Sequence, residues 1–235
     1  MEKNIKSPSV IILLGPPGSG KGTQAGLISE KLNLYYLETS KIIEANIMKA
    51  KPGDFVKIEG EKYPLLNEKI LWKTGKLCTP EVVSLWVKGK IMSLSREGRG
   101  VVFAGSPRTL LEGEKLIPFL KKTYGTKNIK VFLLDVSPEE TISRNSQRRI
   151  CELIRHPILT NKETAELTRC PLDGSKLIRR KGLDDPKVIR VRLKEYKERT
   201  EPLIDYFKEQ GLKVKKINGE KPVVNVFDNI LKALK

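Results

Sequence analysis

Five consecutive apolar residues, Val10 to Leu14, run straight into the segment GPPGSGKGT, residues 15–23. This junction constrains the fold more than any other feature. A short unbroken apolar run is what a strand covered on both faces requires, as in a parallel sheet. The segment after it holds Gly15, Gly18, Gly20 and Gly22, and from Lys21 to Leu32 the apolar residues Ala25, Ile28 and Leu32 fall on one helical face. Strand, glycine loop, lysine and helix in that order match G-x-x-x-x-G-K-[ST], with Gly22 standing before Thr23. Glycines let backbone N–H groups turn inward around phosphate oxygens, and the helix N-terminus adds partial positive charge. Gly18, Ser19, Gly20, Lys21, Gly22 and Thr23 are therefore candidate phosphate ligands, with Lys21 able to reach β and γ phosphates. The alternative is an ordinary glycine-rich turn between strand and helix.

The rest of the chain keeps the same rhythm. Val101–Ala104 and Val131–Leu134 are further short apolar runs. Thr79-Pro80 and Asp185-Pro186 read as helix starts, with Thr79 as N-cap of the first. After Pro186, Ile189, Leu193, Tyr196, Thr200 and Leu203 recur at steps of three and four. Strands alternating with helices predict an α/β fold of three layers around a parallel sheet. Two segments break the rhythm. Residues 51–66 read as a hairpin or loop, and residues 149–182 are polar, turn-rich and cysteine-bearing. The net charge of +17 favours polyanionic partners, whether nucleotides, nucleic acid or acidic lipid. No apolar run approaches a membrane span, and the first residues lack a signal-peptide core. With three cysteines and no disulfide pattern, a cytoplasmic location is expected.

The ordered set GPPGSGKGTQA, TGKLCTPEVV (74–83), SPRT (106–109), Asp184-Asp185 before RVRLKEYKERTEPLIDYF, and NGEKPVVNVF (218–227) resembles the adenylate kinase family of nucleoside monophosphate kinases. The resemblance spans nearly the whole chain. It implies a P-loop core (1–38, 76–143 and 183–235), a subdomain for the acceptor monophosphate (39–75) and a lid (144–182). It also implies reversible transfer from MgATP to a nucleoside monophosphate, with AMP the favoured acceptor, by a monomer with no specific nucleic-acid partner. Phosphoryl transfer gathers negative oxygens, and arginine forks onto two of them at once. The resemblance assigns Arg108 to the acceptor phosphate, Arg144 and Arg148 to ATP, and Arg192, more than Arg190, to catalysis beside Lys21, Arg108 and Arg148. Lys221 falls where the family lays backbone against the ATP base. Thr39, Lys76, Leu77, Cys78 and Gly105 fall at the acceptor. Asp184 and Asp185 match a pair that orients lid arginines, unless Asp185 caps its helix.

The sequence also departs from the family. Ala104 replaces an acid that orders the water shell of Mg²⁺, and Ser106 replaces a phenylalanine. Lys41 and Glu44 stand where an acid and a phosphate-binding arginine are usual. Being one helical turn apart, they are expected to pair, with Lys41 supplying the missing cation. Glu112 replaces a base-reading glutamine. A carboxylate only accepts hydrogen bonds, which suits guanine better than adenine, so GMP is the alternative acceptor. In the lid, Cys170-Pro-Leu-Asp173 keeps one zinc knuckle, whereas Ile154 breaks the other beside Cys151. His156 lies two residues on, so Cys151, His156, Cys170 and Asp173 could hold Zn²⁺ with shifted spacing. The other reading is a metal-free lid with buried thiols. Two further readings of the whole chain stay open: a nucleotide-binding regulatory protein without turnover, and a nucleic-acid-associated P-loop protein.

Overall fold

The computed structural model describes residues 10–158, 160, 162–179 and 184–234. The amino-terminal stretch read for a leader and the 182/183 boundary lie outside them. In chain order the elements are β1 (Val10–Leu14), α1 (Lys21–Leu32), β2 (Tyr35–Glu38), α2 (Thr39–Ile47), β3 (Phe55–Ile58), β4 (Glu61–Pro64), α3 (Leu65–Thr74), α4 (Pro80–Arg96), β5 (Val101–Ala104), α5 (Leu110–Tyr124) and β6 (Ile129–Asp135). Then come α6 (Pro138–Ser146), β7 (Arg149–Cys151), β8 (Pro157–Ile158), β9 (Leu177–Ile178), α7 (Pro186–Glu195), a π-helical turn (Tyr196–Thr200), α8 (Leu203–Glu209), β10 (Val214–Asn218) and α9 (Val223–Leu234).

The central sheet is wholly parallel, in the order β10-β6-β1-β5-β2. β1 lies in the middle, and later strands lie on both sides of it. In such sheets ligands bind beyond the carboxyl ends of the strands. All five residues of β1 are buried, because each face of the sheet is covered. Val10, Ile12 and Phe103 pack under α2, α4, α5 and α8, through Ile43, Val87, Leu116 and Phe207. Ile11, Leu13, Val102 and Ala104 pack under α1 and α9, through Ile28 and Ile230. This is the three-layer arrangement the alternating pattern predicts.

Residues 51–66 contain the antiparallel hairpin β3–β4. Residues 149–182 contain a small antiparallel sheet, β8-β7-β9. Asp185 caps α7, its Oδ1 accepting the Lys187 N–H at 2.8 Å. Thr79 precedes α4 as expected but does not cap it through its side chain. It donates its N–H and O–H instead to the buried Glu68 carboxylate of α3, at 2.8 and 2.5 Å. No described helix is long and apolar enough to cross a membrane.

Candidate active site

The glycine loop joins β1 to α1 at the carboxyl edge of the sheet. Gly18 sits at φ +87°, and a Cβ there would lie 2.4 Å from Asn145 Nδ2. That close approach is used: Asn145, buried on α6, donates to Pro17 O at 2.9 Å and so holds the loop from the lid side. Lys21 opens α1, and its ammonium donates to Gly15 O and Pro16 O at 2.6 and 2.7 Å. Burial first, then Arg108, Arg192 and Arg148, hold this amine well below the usual lysine range. Four cations thus crowd one loop, which is a site for a polyanion.

Arg108 is set by a compact turn at the end of β5. Gly105 has φ +111°, and a Cβ on it would come within 2.5 Å of Arg108 Nη2. The guanidinium therefore lies across a position that must have no side chain. Glu112, buried on α5, accepts Arg108 N–H and Ser106 O–H on one oxygen, both at 2.9 Å. Thr109 caps α5 by accepting Glu112 N–H at 3.1 Å. The Arg108 carbonyl accepts Thr200 O–H at 2.6 Å, which ties the turn to the π-helical segment. Burial lowers the Arg108 guanidinium, opposed by Glu112, Cys78 and Glu38.

Lys21, Gly105, Arg108, Arg192 and the Lys76-Leu77 segment line one crevice. Arg190 is exposed and Arg192 is half-buried in that wall. The Leu77 N–H donates to Glu195 Oε2 at 3.2 Å, and Glu195 also pairs with Arg199 at 3.0 Å. Cys78 is buried, and burial pushes its thiol up to about 12; it therefore stays protonated at neutral pH. The Thr39 hydroxyl is fully buried and has no protein partner. Glu112 and Thr39 are not among the crevice-lining residues.

The expected pair of Lys41 with Glu44 does not form. Lys41 reaches back to Glu38 at 3.0 Å, at the end of β2. Position 38 immediately precedes α2, so its carboxylate is as close in sequence as Glu44 and lies on the strand side.

On α6, Arg144 donates to Glu140 at 2.6 Å and to Gly219 O at 2.9 Å, so it touches the loop that carries Lys221. Lys221 itself is exposed. Arg148 approaches Asp184 Oδ1 at 3.7 Å. Asn145, Glu68 and Glu195 carry no motif or spacing that would single them out in the sequence. Their work is done across elements, and only Glu195 sits on a helix already marked by its periodicity.

Cys151, His156, Cys170 and Asp173 converge, with one ligand atom of each within 4.8 Å of all the others. Arg155 at φ +62° turns the chain, which brings His156 alongside despite the shifted spacing. Ile154 N–H and Leu172 N–H donate to the sulfurs of Cys151 and Cys170 at 3.3 and 3.4 Å. Two sulfurs, an imidazole and a carboxylate form a donor set that fits a tetrahedral divalent metal.

A parallel sheet with a glycine loop and lysine at its carboxyl edge, facing converging arginines, defines a P-loop nucleotide phosphotransferase. The adenylate kinase family model matches residues 13–212. The chain is 36% identical over 223 residues to an adenylate kinase of Clostridium botulinum (strain Loch Maree / Type A3), covering 94% of this chain and 95% of the relative. It is 32% identical over 230 residues to an adenylate kinase of Chlamydia muridarum, covering 97% and 88%. The chain belongs to the adenylate kinase family. It is a nucleoside monophosphate kinase, transferring a phosphoryl group between ATP and a monophosphate.

Proposed function

We propose that the acceptor is AMP and that the reaction is ATP + AMP = 2 ADP. The observation that carries this reading is the Glu112 carboxylate. One of its oxygens already takes two donors from the Ser106–Arg108 turn, so its capacity to accept from guanine is reduced. The Leu77 N–H is held by Glu195, so adenine is left to the other backbone groups at Leu77 and Cys78. Arg108 clamps the acceptor phosphate, and Lys21, Arg148 and Arg192 offset charge on the transferring group. An acceptor phosphate oxygen attacks the γ-phosphorus; that bond forms as the β–γ bridging bond breaks, and ADP leaves on both sides. Arg144 and the Gly219–Lys221 loop hold the ATP base side. Residues 39–75 act as the acceptor subdomain and 144–182 as the lid that excludes water.

Mg²⁺ bound with ATP would spread the charge of the phosphate oxygens. The side chains of Thr23, Ser40 and Glu38 around this edge are oxygen donors, which suits a hard cation that keeps several waters. In the lid, Cys151, His156, Cys170 and Asp173 would hold Zn²⁺ as a structural ion. Its chemistry would be to cross-link β7 with the Cys170–Ser175 turn.

A coupled assay across AMP, GMP, CMP and UMP tests the acceptor. At least tenfold preference for AMP in kcat/KM is expected. Equal or faster turnover of GMP would overturn the AMP reading, and ATP binding without ADP formation would show a non-catalytic protein.

A further inference from the structure

The one carboxylate among the crevice-lining residues, Glu195, is already engaged by the Leu77 N–H and Arg199, so an acid to order a nucleotide-bound metal must be sought at the strand ends. Of the five strands of the central sheet, β1 ends in Leu14, β5 in Ala104 and β10 in Asn218. Only β2 and β6 end in acids, Glu38 and Asp135. Asp135 is turned to Lys216 at 3.0 Å and lies on the β10 side of β1. Glu38 lies on the other side, next to β5. The parallel register pairs Tyr36 with Val102 and Glu38 with Ala104. Lateral partners in a sheet present their side chains to the same face. That face belongs to α1: Tyr36, Val102 and Ala104 share the core beneath it. The Tyr36 hydroxyl comes within 3.1 Å of where a Cβ on Gly22 would sit, so this face meets the first turn of α1, next to Lys21 in sequence. Glu38 is the next residue along it, two positions nearer the carboxyl edge.

Glu38 is not among the residues that line the phosphate crevice, so it would act from outside that lining, through water. Its side chain is 30% exposed, and its partners are Lys41 at 3.0 Å and Ser40 O–H at 3.1 Å. Lys41 is 65% exposed, so the pair is open to water and weak. Its charge is felt inward, where it acts on the ionisation of both Tyr36 and Arg108.

We propose that Glu38, at the end of β2 and laterally beside Ala104, is the carboxylate that orders the water shell of nucleotide-bound Mg²⁺. The acid stands one strand over from the end of β5 and acts through a metal-bound water, as Mg²⁺ retains several. It is a positioning residue, and the proposal rests on MgATP being the donor.

The test is the affinity of the enzyme–ATP complex for Mn²⁺, read by electron paramagnetic resonance. Glu38→Gln is expected to weaken Mn²⁺ binding by roughly tenfold or more, the usual cost of losing an outer-shell carboxylate. Binding of metal-free ATP stays unchanged. Lys41→Met, which removes the competing ammonium, leaves Mn²⁺ affinity at or above that of the wild type. Ala104→Asp in the Glu38→Gln background restores it, because the two positions are lateral neighbours on one face. Unaltered Mn²⁺ affinity in Glu38→Gln, an equal loss in Lys41→Met, or no recovery with Ala104→Asp would each overturn the proposal alone. A wild-type enzyme that forms no Mn²⁺–ATP complex would overturn the kinase reading with it.

Discussion

Arg108 depends on a neighbour that has no side chain. Gly105→Ala places a methyl group 2.5 Å from the guanidinium and forces alanine to φ +111°. Strain of this kind costs about 1 to 3 kcal/mol, and the guanidinium must move off its seat. The expected result is a fall of at least about tenfold in kcat/KM, since a small misplacement of a phosphate clamp is expensive; steady-state kinetics with AMP varied measures it. Glu112 gives a second prediction. Burial holds its carboxyl above the usual glutamate range, against hydrogen bonds from Arg108 and Ser106. The folded state therefore binds this proton more tightly than the unfolded chain does. Its contribution is largest below the ordinary value of about 4.3 and is lost as pH rises through the raised one. Glu112→Gln does not titrate, so its Tm should gain on the wild type as pH rises from about 4; a constant difference between the two melting curves would count against this. Lys21 and Arg108 were legible because a loop motif and a strand end announce them. The pairing of Lys41 with Glu38 and the hydrogen bonds of Glu112 to Ser106 and Arg108 were not, because the local path of the chain at a strand end decides them.

Glu68 works between elements. Its carboxylate, 2% exposed on α3, takes both the N–H and the O–H of Thr79, where α4 begins. Glu68→Ala strands both donors in a part-buried site, at about 2 to 3 kcal/mol, whereas Glu68→Gln keeps an acceptor. Denaturant melts should rank wild type, Gln and Ala in that order of stability. The small sheet β8-β7-β9 makes the complementary case. β7, β8 and β9 hold three, two and two residues, too little to bury a core of their own. A metal on Cys151, His156, Cys170 and Asp173 would supply the missing cross-link. Purified protein should carry about one Zn²⁺ per chain, and Cys170→Ser should lose it and lower Tm. Stoichiometry near zero in protein purified without chelator would overturn the zinc reading. Strand and helix positions were readable from apolar period and from proline at helix starts. The knuckle was only half readable, because a positive φ at Arg155 repairs a spacing that the ligand pattern alone leaves broken.

The whole molecule carries a net charge of +17, and much of its functional meaning lies in how that charge is concentrated at the sheet edge. Lys21 is half-buried beside Arg108, Arg192 and Arg148, and each of these opposes its charged form. Nucleotide phosphates do the reverse: they favour the ammonium and screen the arginines from one another. Nucleotide binding and Lys21 protonation are therefore linked. At a pH between the lowered value of Lys21 and its value beside phosphate, ATP binding must take up a proton. Affinity for ATP must then fall as pH rises through the lowered value. Calorimetry in two buffers of different ionisation enthalpy, at several pH values above phosphate ionisation near pH 6 and below the ordinary lysine value of about 10.4, reads this directly. Lys21→Met should bind ATP more weakly and show no such uptake. Raising salt should weaken ATP binding in both proteins, because the field of the remaining cations is screened within about 10 Å at 0.1 M, but only the wild type should keep the proton signal. Equal proton uptake by wild type and Lys21→Met would place the titrating group elsewhere in the crevice and remove Lys21 from the phosphate contacts assigned to it.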